Sequence, residues 1–127
     1  MENNVLTGIV VDSCIKIHTA IGPGCYEKVY EEILCHEFEK KRLSFLRQIT
    51  LPITYESLVV KDAYKIDILL EDKIIIEIKS VEHLLPVHYK QVTTYLKLMN
   101  LKNGMLLNFK VDLMKEGIHR VFNNFGV

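Results

Sequence analysis

Apolar residues recur three and four positions apart at the start of the chain, and Leu6, Ile9, Val10, Cys14, Ile17 and Ile21 predict an amphipathic helix over residues of about 4 to 20. Gly22-Pro23-Gly24 ends it. The spacing returns in Tyr26, Val29, Tyr30, Ile33, Leu34 and Phe38, so a second helix should follow the glycines and close near Lys40-Lys41-Arg42, charges that suit a helix C-terminus. From Ser44 the pattern becomes extended: Phe45 to Tyr55, Tyr64 to Leu70 and Lys73 to Lys79, with turn-like polar residues between, read as a three-stranded meander. Pro86 can open a third helix running to about Asn100, with Val92, Tyr95, Leu96 and Met99 on its buried stripe. Gly104 to Phe109 reads as a buried strand and Ile118 to Phe122 as a short last one. The order ααβββαββ predicts one mixed α/β layer structure.

Within this pattern one hairpin breaks its own rule. Its strands read Ile-Asp-Ile-Leu-Leu and Ile-Ile-Ile-Glu-Ile-Lys, so Asp67, Glu77 and Lys79 put charge where apolar residues would be more stable. If Glu71, Asp72 and Lys73 form a three-residue turn, Leu70 faces Ile74, Ile68 faces Ile76 and Ile66 faces Ile78 on one apolar face. The same register sets Asp67 across from Glu77 on the other face, with Lys79 beside them. A two-residue turn would invert this and separate the carboxylates.

Opposed carboxylates repel unless a cation lies between them, and this pair would make an oxygen site for a hard divalent ion, Mg2+ or Mn2+. Such an ion lowers the pKa of its water and polarises a phosphoryl oxygen, as phosphodiester hydrolysis requires. Glu-x-Lys alone means little, because the chain holds three acid-x-Lys triplets, including Glu39-Lys40-Lys41 and Glu71-Asp72-Lys73. The apolar setting and Asp67 distinguish the third. A surface salt-bridge network is the bland alternative. Glu27, in the first turn of helix two and sharing a face with Tyr30 and Glu31, is equally explained by the helix dipole. Gln91 and Tyr95, one turn apart on helix three, can both point toward the sheet, as core-edge residues also do. His18 and His88 could contact a phosphate or a metal, but neither has a zinc spacing.

The chain has 127 residues, nearly half of them apolar, which bounds it to about one domain with a core of ordinary size. Sixteen basic residues balance sixteen acidic ones, so no global basic footprint marks a nucleic-acid binder, and any such partner must be held by a local patch or a metal. Cys14, Cys25 and Cys35 are odd in number and not closely paired, as expected of reduced thiols in a cytoplasmic protein. No basic leader precedes an apolar stretch and no run approaches membrane-spanning length, so a soluble, unprocessed protein without a membrane partner is expected.

Gly24-Cys25-Tyr26-Glu27-Lys28-Val29-Tyr30 fits the motif of the GxxExxY proteins, and the resemblance extends through His18 to Gly24, Tyr64 to Lys79, Leu84 to Tyr95 and Gly104 to Phe109. These proteins resemble small members of the PD-(D/E)XK nuclease superfamily, in the branch similar to RecB-type and Cas4-type nucleases. The resemblance implies a single restriction-endonuclease-like domain over residues 1–127, a mixed sheet with helices on both faces. It implies a helix Glu, a strand Asp, a Glu-x-Lys and a Gln-x-x-x-Tyr helix, which fall on Glu27, Asp67, Glu77 with Lys79, and Gln91 with Tyr95. Ile66 stands where the superfamily's name has Pro. The implied activity is that of a Mg2+- or Mn2+-dependent deoxyribonuclease in which Asp67, Glu77, Glu27 and the Ile78 carbonyl hold the metal. Lys79 and Gln91 would serve the attacking water and a phosphate, while Tyr95, Tyr30 and His88 support them. The alternative is a non-catalytic module that binds metal, nucleic acid or a protein partner without turnover. With zero net charge, a lone domain of this size would hold DNA weakly unless it formed a homodimer or acted with a partner.

Overall fold

The computed structural model describes residues 1–123. Its elements are α1 (Asn3–Ile21), α2 (Glu27–Lys40), β1 (Phe45–Tyr55), β2 (Leu58–Leu70), β3 (Ile74–Lys79), α3 (Pro86–Met99), β4 (Asn103–Asn108), a 3-10 turn (Met114–Gly117) and β5 (Ile118–Phe122). The strands follow chain order in one sheet, antiparallel except for β3 and β4. Parallel neighbours need a crossover, which α3 supplies. The helices cover both faces, in the mixed α/β architecture that the periodicity and the resemblance predict.

Two cores result. Leu6, Val10, Tyr30, Leu34 and Phe38 of α1 and α2 pack on Ile68, Leu70, Ile74, Ile76 and Ile78. On the opposite face Val92, Tyr95 and Leu96 of α3 pack on Ile66, Leu69, Ile75 and Leu106. Gly104 makes the second contact close, since a Cβ there would lie 2.7 Å from Val92 Cγ1.

Several expectations are corrected. Tyr26 and Val29 are exposed, because α2 begins only at Glu27 and turns Tyr30, Glu31, Leu34, Cys35, Glu37 and Phe38 inward, and Ile21, the last residue of α1, is exposed as well. β2 begins at Leu58 instead of Tyr64, forming with β1 a two-stranded ribbon whose Tyr55, Leu58 and Val59 are exposed. The stretch Leu58-Val59-Val60 is too short to reveal a period. In length and composition α1 could cross a membrane, contrary to the expectation from its sequence, although Leu6, Val10, Cys14 and Ile17 bury one of its faces in the core.

The hairpin turn has the expected length. Leu70 pairs with Ile74, Leu69 with Ile75 and Ile68 with Ile76. Glu71 and Asp72 are left-handed, and the Lys73 N–H closes the turn on the Leu70 carbonyl at 2.9 Å. The predicted apolar face nevertheless breaks at Ile66, which packs under α3 and not with Ile68 and Leu70. β1 switches faces at the same level: Phe45 packs toward α1 and α2, Ile49 and Leu51 toward α3. Between them Gln48 has a φ of 52°, and Gln48 and Asp67 drop out of a register that resumes unchanged on either side, from Arg47↔Ile68 to Ile49↔Ile66. The two strands therefore share one kink, with Asp67 at its centre.

Candidate functional site

At the kink the β2–β3 ladder stops, and side chains replace its main-chain bonds. The Asp67 N–H donates to Glu77 Oε1 at 2.9 Å, and the Ile78 N–H donates to Asp67 Oδ2 at 2.9 Å. The two carboxylates are thus crossed between diverging strands, Glu77 buried and Asp67 half-buried. Burial pushes the Glu77 carboxyl up to about 8, the Asp67 charge adds to the rise, and the Asp67 N–H and Lys79 oppose it. Burial likewise raises Asp67, with Glu31 and Glu27 adding to it and the Ile78 N–H and Lys79 acting against it. Partly withdrawn from water, such a pair is a poor place for two negative charges and a good one for a hard cation.

The other predicted residues gather around this pair to different degrees. Glu27 is the first residue of α2 and exposed, and it acts on both carboxylates through its charge. Among the described residues no three His, Cys, Asp or Glu side chains are close enough to hold an ion by themselves, so Glu27 is not gathered with Asp67 and Glu77 as a third ligand. The two carboxylates still fit Mg2+ or Mn2+, because such ions are held by one or two carboxylates and complete their shells with water and phosphate. Ile78 enters through its N–H. Lys79, at the end of β3, lines a cleft of about 590 Å3 with Lys65, Gln91 and Tyr95. Asp67 opens into an adjoining hollow with Glu27, Glu31, Gln48 and Lys65, so Lys65 borders both.

Supporting residues have clear physical roles. Tyr95 is buried, crosses Tyr64 edge-on at 5.9 Å between centroids, and lies against the Lys65 main chain and the Gln91 amide. Burial raises its hydroxyl pKa, and the Glu77 charge adds to this. Tyr30 stacks on Phe109 at 4.2 Å, donates to the Gly22 carbonyl at 2.6 Å and accepts from the Cys25 N–H at 3.1 Å. It therefore fixes the loop from which Glu27 projects. His88 caps α3, its Nδ1 accepting from the Leu85 N–H at 2.9 Å, which leaves the proton of a neutral ring on Nε2. His18 is tied to the Val111 carbonyl at 2.8 Å, away from the pair.

Sequence reasoning missed a second layer. Glu31, buried on α2, accepts from Arg47 Nε and Nη2 at 3.0 and 2.7 Å and from Gln48 Nε2 at 2.6 Å. This bonding holds Gln48 in its left-handed conformation and so maintains the kink. Buried Asn108 accepts from the Val81 N–H at 3.1 Å and donates to the Val81 carbonyl at 2.9 Å, while Ser80 Oγ donates to the Cys25 carbonyl at 3.1 Å. These bonds join the exit of β3, just past Lys79, to β4 and to the loop before α2. The available signals were Arg47-Gln48 interrupting an apolar strand and Asn108 closing a buried one.

Residues 4–121 match the family model of the PD-(D/E)XK nuclease superfamily. No curated protein matches the chain. Among solved structures it is similar to one described as "Crystal structure of SSO0001", at 18% identity, over 95% of this chain and 67% of that one, with a TM-score of 0.49.

Proposed function

The chain belongs to the PD-(D/E)XK nuclease superfamily, a nuclease-like group that uses divalent metal ions and binds nucleic acid, and from that premise we propose a Mg2+- or Mn2+-dependent nuclease acting on DNA. The observation that carries this reading is the crossed Asp67–Glu77 pair, Glu77 buried and Asp67 half-buried, with Lys79 two residues beyond Glu77. Within the superfamily we assign the chain to the GxxExxY group near the RecB-type and Cas4-type branch, on Gly24, Glu27 and Tyr30. Asp67 and Glu77 would hold the cation, with the Ile78 carbonyl beside them and Glu27 reaching it through water. When bound, the ion would supply Lewis acidity and a more acidic water. Lys79 would orient that water and take up its proton or offset charge on the phosphate. Gln91 would hold Lys79 or a phosphate oxygen, and Tyr95 would keep α3 in place. His88 could donate to a phosphate through Nε2. The free cysteines, Cys14 and Cys35 buried, support a cytoplasmic setting.

Incubation of single- and double-stranded DNA with Mg2+ or Mn2+ tests the proposal. Cleavage should fall by about 100-fold or more in Asp67→Ala and in Lys79→Ala. Full activity in either variant would sink the mechanism.

A second reading, a module that binds metal without turnover, is favoured by the zero net charge, which gives a lone domain little hold on DNA. Such a chain would act through a homodimer or a protein partner. Calorimetric metal binding that depends on Asp67 and Glu77, with no cleavage of any nucleic acid, would favour it.

A further inference from the structure

We propose that the cleft between the open edge of β2 and the first turns of α3 seats a single nucleic-acid strand, its phosphates held by Lys65, Lys79 and Lys90 and its bases against Tyr64 and Val87. The proposal rests on the nuclease reading and extends it to the form of the substrate. The cleft exists because β2 pairs with β3 only as far as Ile68, so residues before Asp67 leave an unpaired edge facing α3. Its charge is unusual for a neutral chain. Lys65, Lys79 and Lys90 line it against one acid, Asp62. Lys79 also feels the charges of Asp67 and Glu77, while Lys65 and Lys90 reach into solvent. Three cations gathered in one cleft against a single acid suit a polyanion.

Apolar surface within the cleft argues for a single strand. Val87 is 60% exposed at the mouth, and Tyr64 lies half-buried below it. Duplex DNA keeps its bases stacked inside and offers mainly phosphates at this scale, so it would leave that surface uncovered. A single strand brings both bases and phosphates to a cationic, aromatic groove. The cleft also leads to the carboxylates, since Lys65 borders the hollow that holds Asp67, and Lys79 follows Glu77 on β3.

Anisotropy of labelled oligo(dT), oligo(U) and an oligo(dT)–oligo(dA) duplex in EDTA measures binding with cleavage disabled. The single strands should bind more tightly than the duplex, and equal binding of oligo(U) would make the shared phosphate backbone the ligand. Because Lys65 and Lys90 are exposed, a Lys65→Ala/Lys90→Ala protein should melt as the wild type does. It should bind the strand about tenfold or more weakly, with a salt slope shallower by about 1.4 for the two lost phosphate contacts. Unchanged strand affinity in that variant, or a duplex bound as tightly as the strand, overturns the proposal. Asp67→Ala separates the two readings: it should lose metal binding yet hold the strand at least as tightly. A wild-type protein that binds the strand but never cleaves with Mg2+ or Mn2+ refutes the nuclease and supports the cleft.

Discussion

Glu77 shows what a single buried carboxyl does to the whole protein. In the metal-free state it keeps its proton up to about pH 8, whereas an unfolded glutamate loses it near 4.5. Between these values the folded chain binds the extra proton, so the contribution of Glu77 to stability is greatest below about 4.5 and is lost as pH rises through 8. Asp67, raised in the same direction, adds to the decline. The Glu77 share of the loss is at most about 5 kcal/mol, at 1.36 kcal/mol per tenfold change. Glu77→Gln should flatten this slope and be the more stable protein at pH 8.5, as urea unfolding at pH 5.5 and 8.5 would reveal. Equal wild-type stability at both pH values would mean that the carboxyl is not held as described.

Elements deliver the residues to the pair, and the loop before α2 is the one most dependent on a single side chain. The Tyr30 hydroxyl bonds to Gly22 and Cys25, the two ends of the segment that precedes Glu27. Tyr30→Phe retains the stacking on Phe109 but leaves these main-chain groups without the hydroxyl. A cost of about 1–3 kcal/mol is expected in thermal or urea unfolding, together with weaker metal-dependent activity. A change confined to activity would show that the loop is braced elsewhere. Much of this level was legible from the chain. α1 and α3 carry clear periods, and only a three-residue turn keeps Ile68 and Leu70 facing Ile76 and Ile74. The kink was not legible, because Gln48 turns left-handed through hydrogen bonding to Glu31 on a distant helix. Nor was Lys65, which looks like any strand lysine until the β2–β3 ladder ends beside it. Whether Glu27 meets the ion directly or through water was not legible either, since periodicity places it on α2 but does not fix its reach to the sheet.

For the molecule as a whole, the pair lies where its two packed layers diverge, with α1 and α2 on one side and α3 on the other. Binding a cation there should stabilise the entire fold, by about 2.7 kcal/mol when the ion is at 100 times its dissociation constant. Because binding must expel the proton that burial retains, the gain should be larger at pH 8.5 than at pH 6. Thermal melting with and without Mn2+ at both pH values checks this, and equal shifts in Asp67→Ala would place the ion elsewhere.

The shared kink gives this arrangement an evolutionary consequence. Since β1 and β2 change faces together at Gln48 and Asp67, losing one residue from either strand alone would break the register they share on both sides of the kink. The ribbon beyond can lengthen or shorten in matched steps without disturbing the pair. Drift should therefore be free at the arm's tip and constrained to coupled changes at the kink, making the centre heritable as two positions in concert.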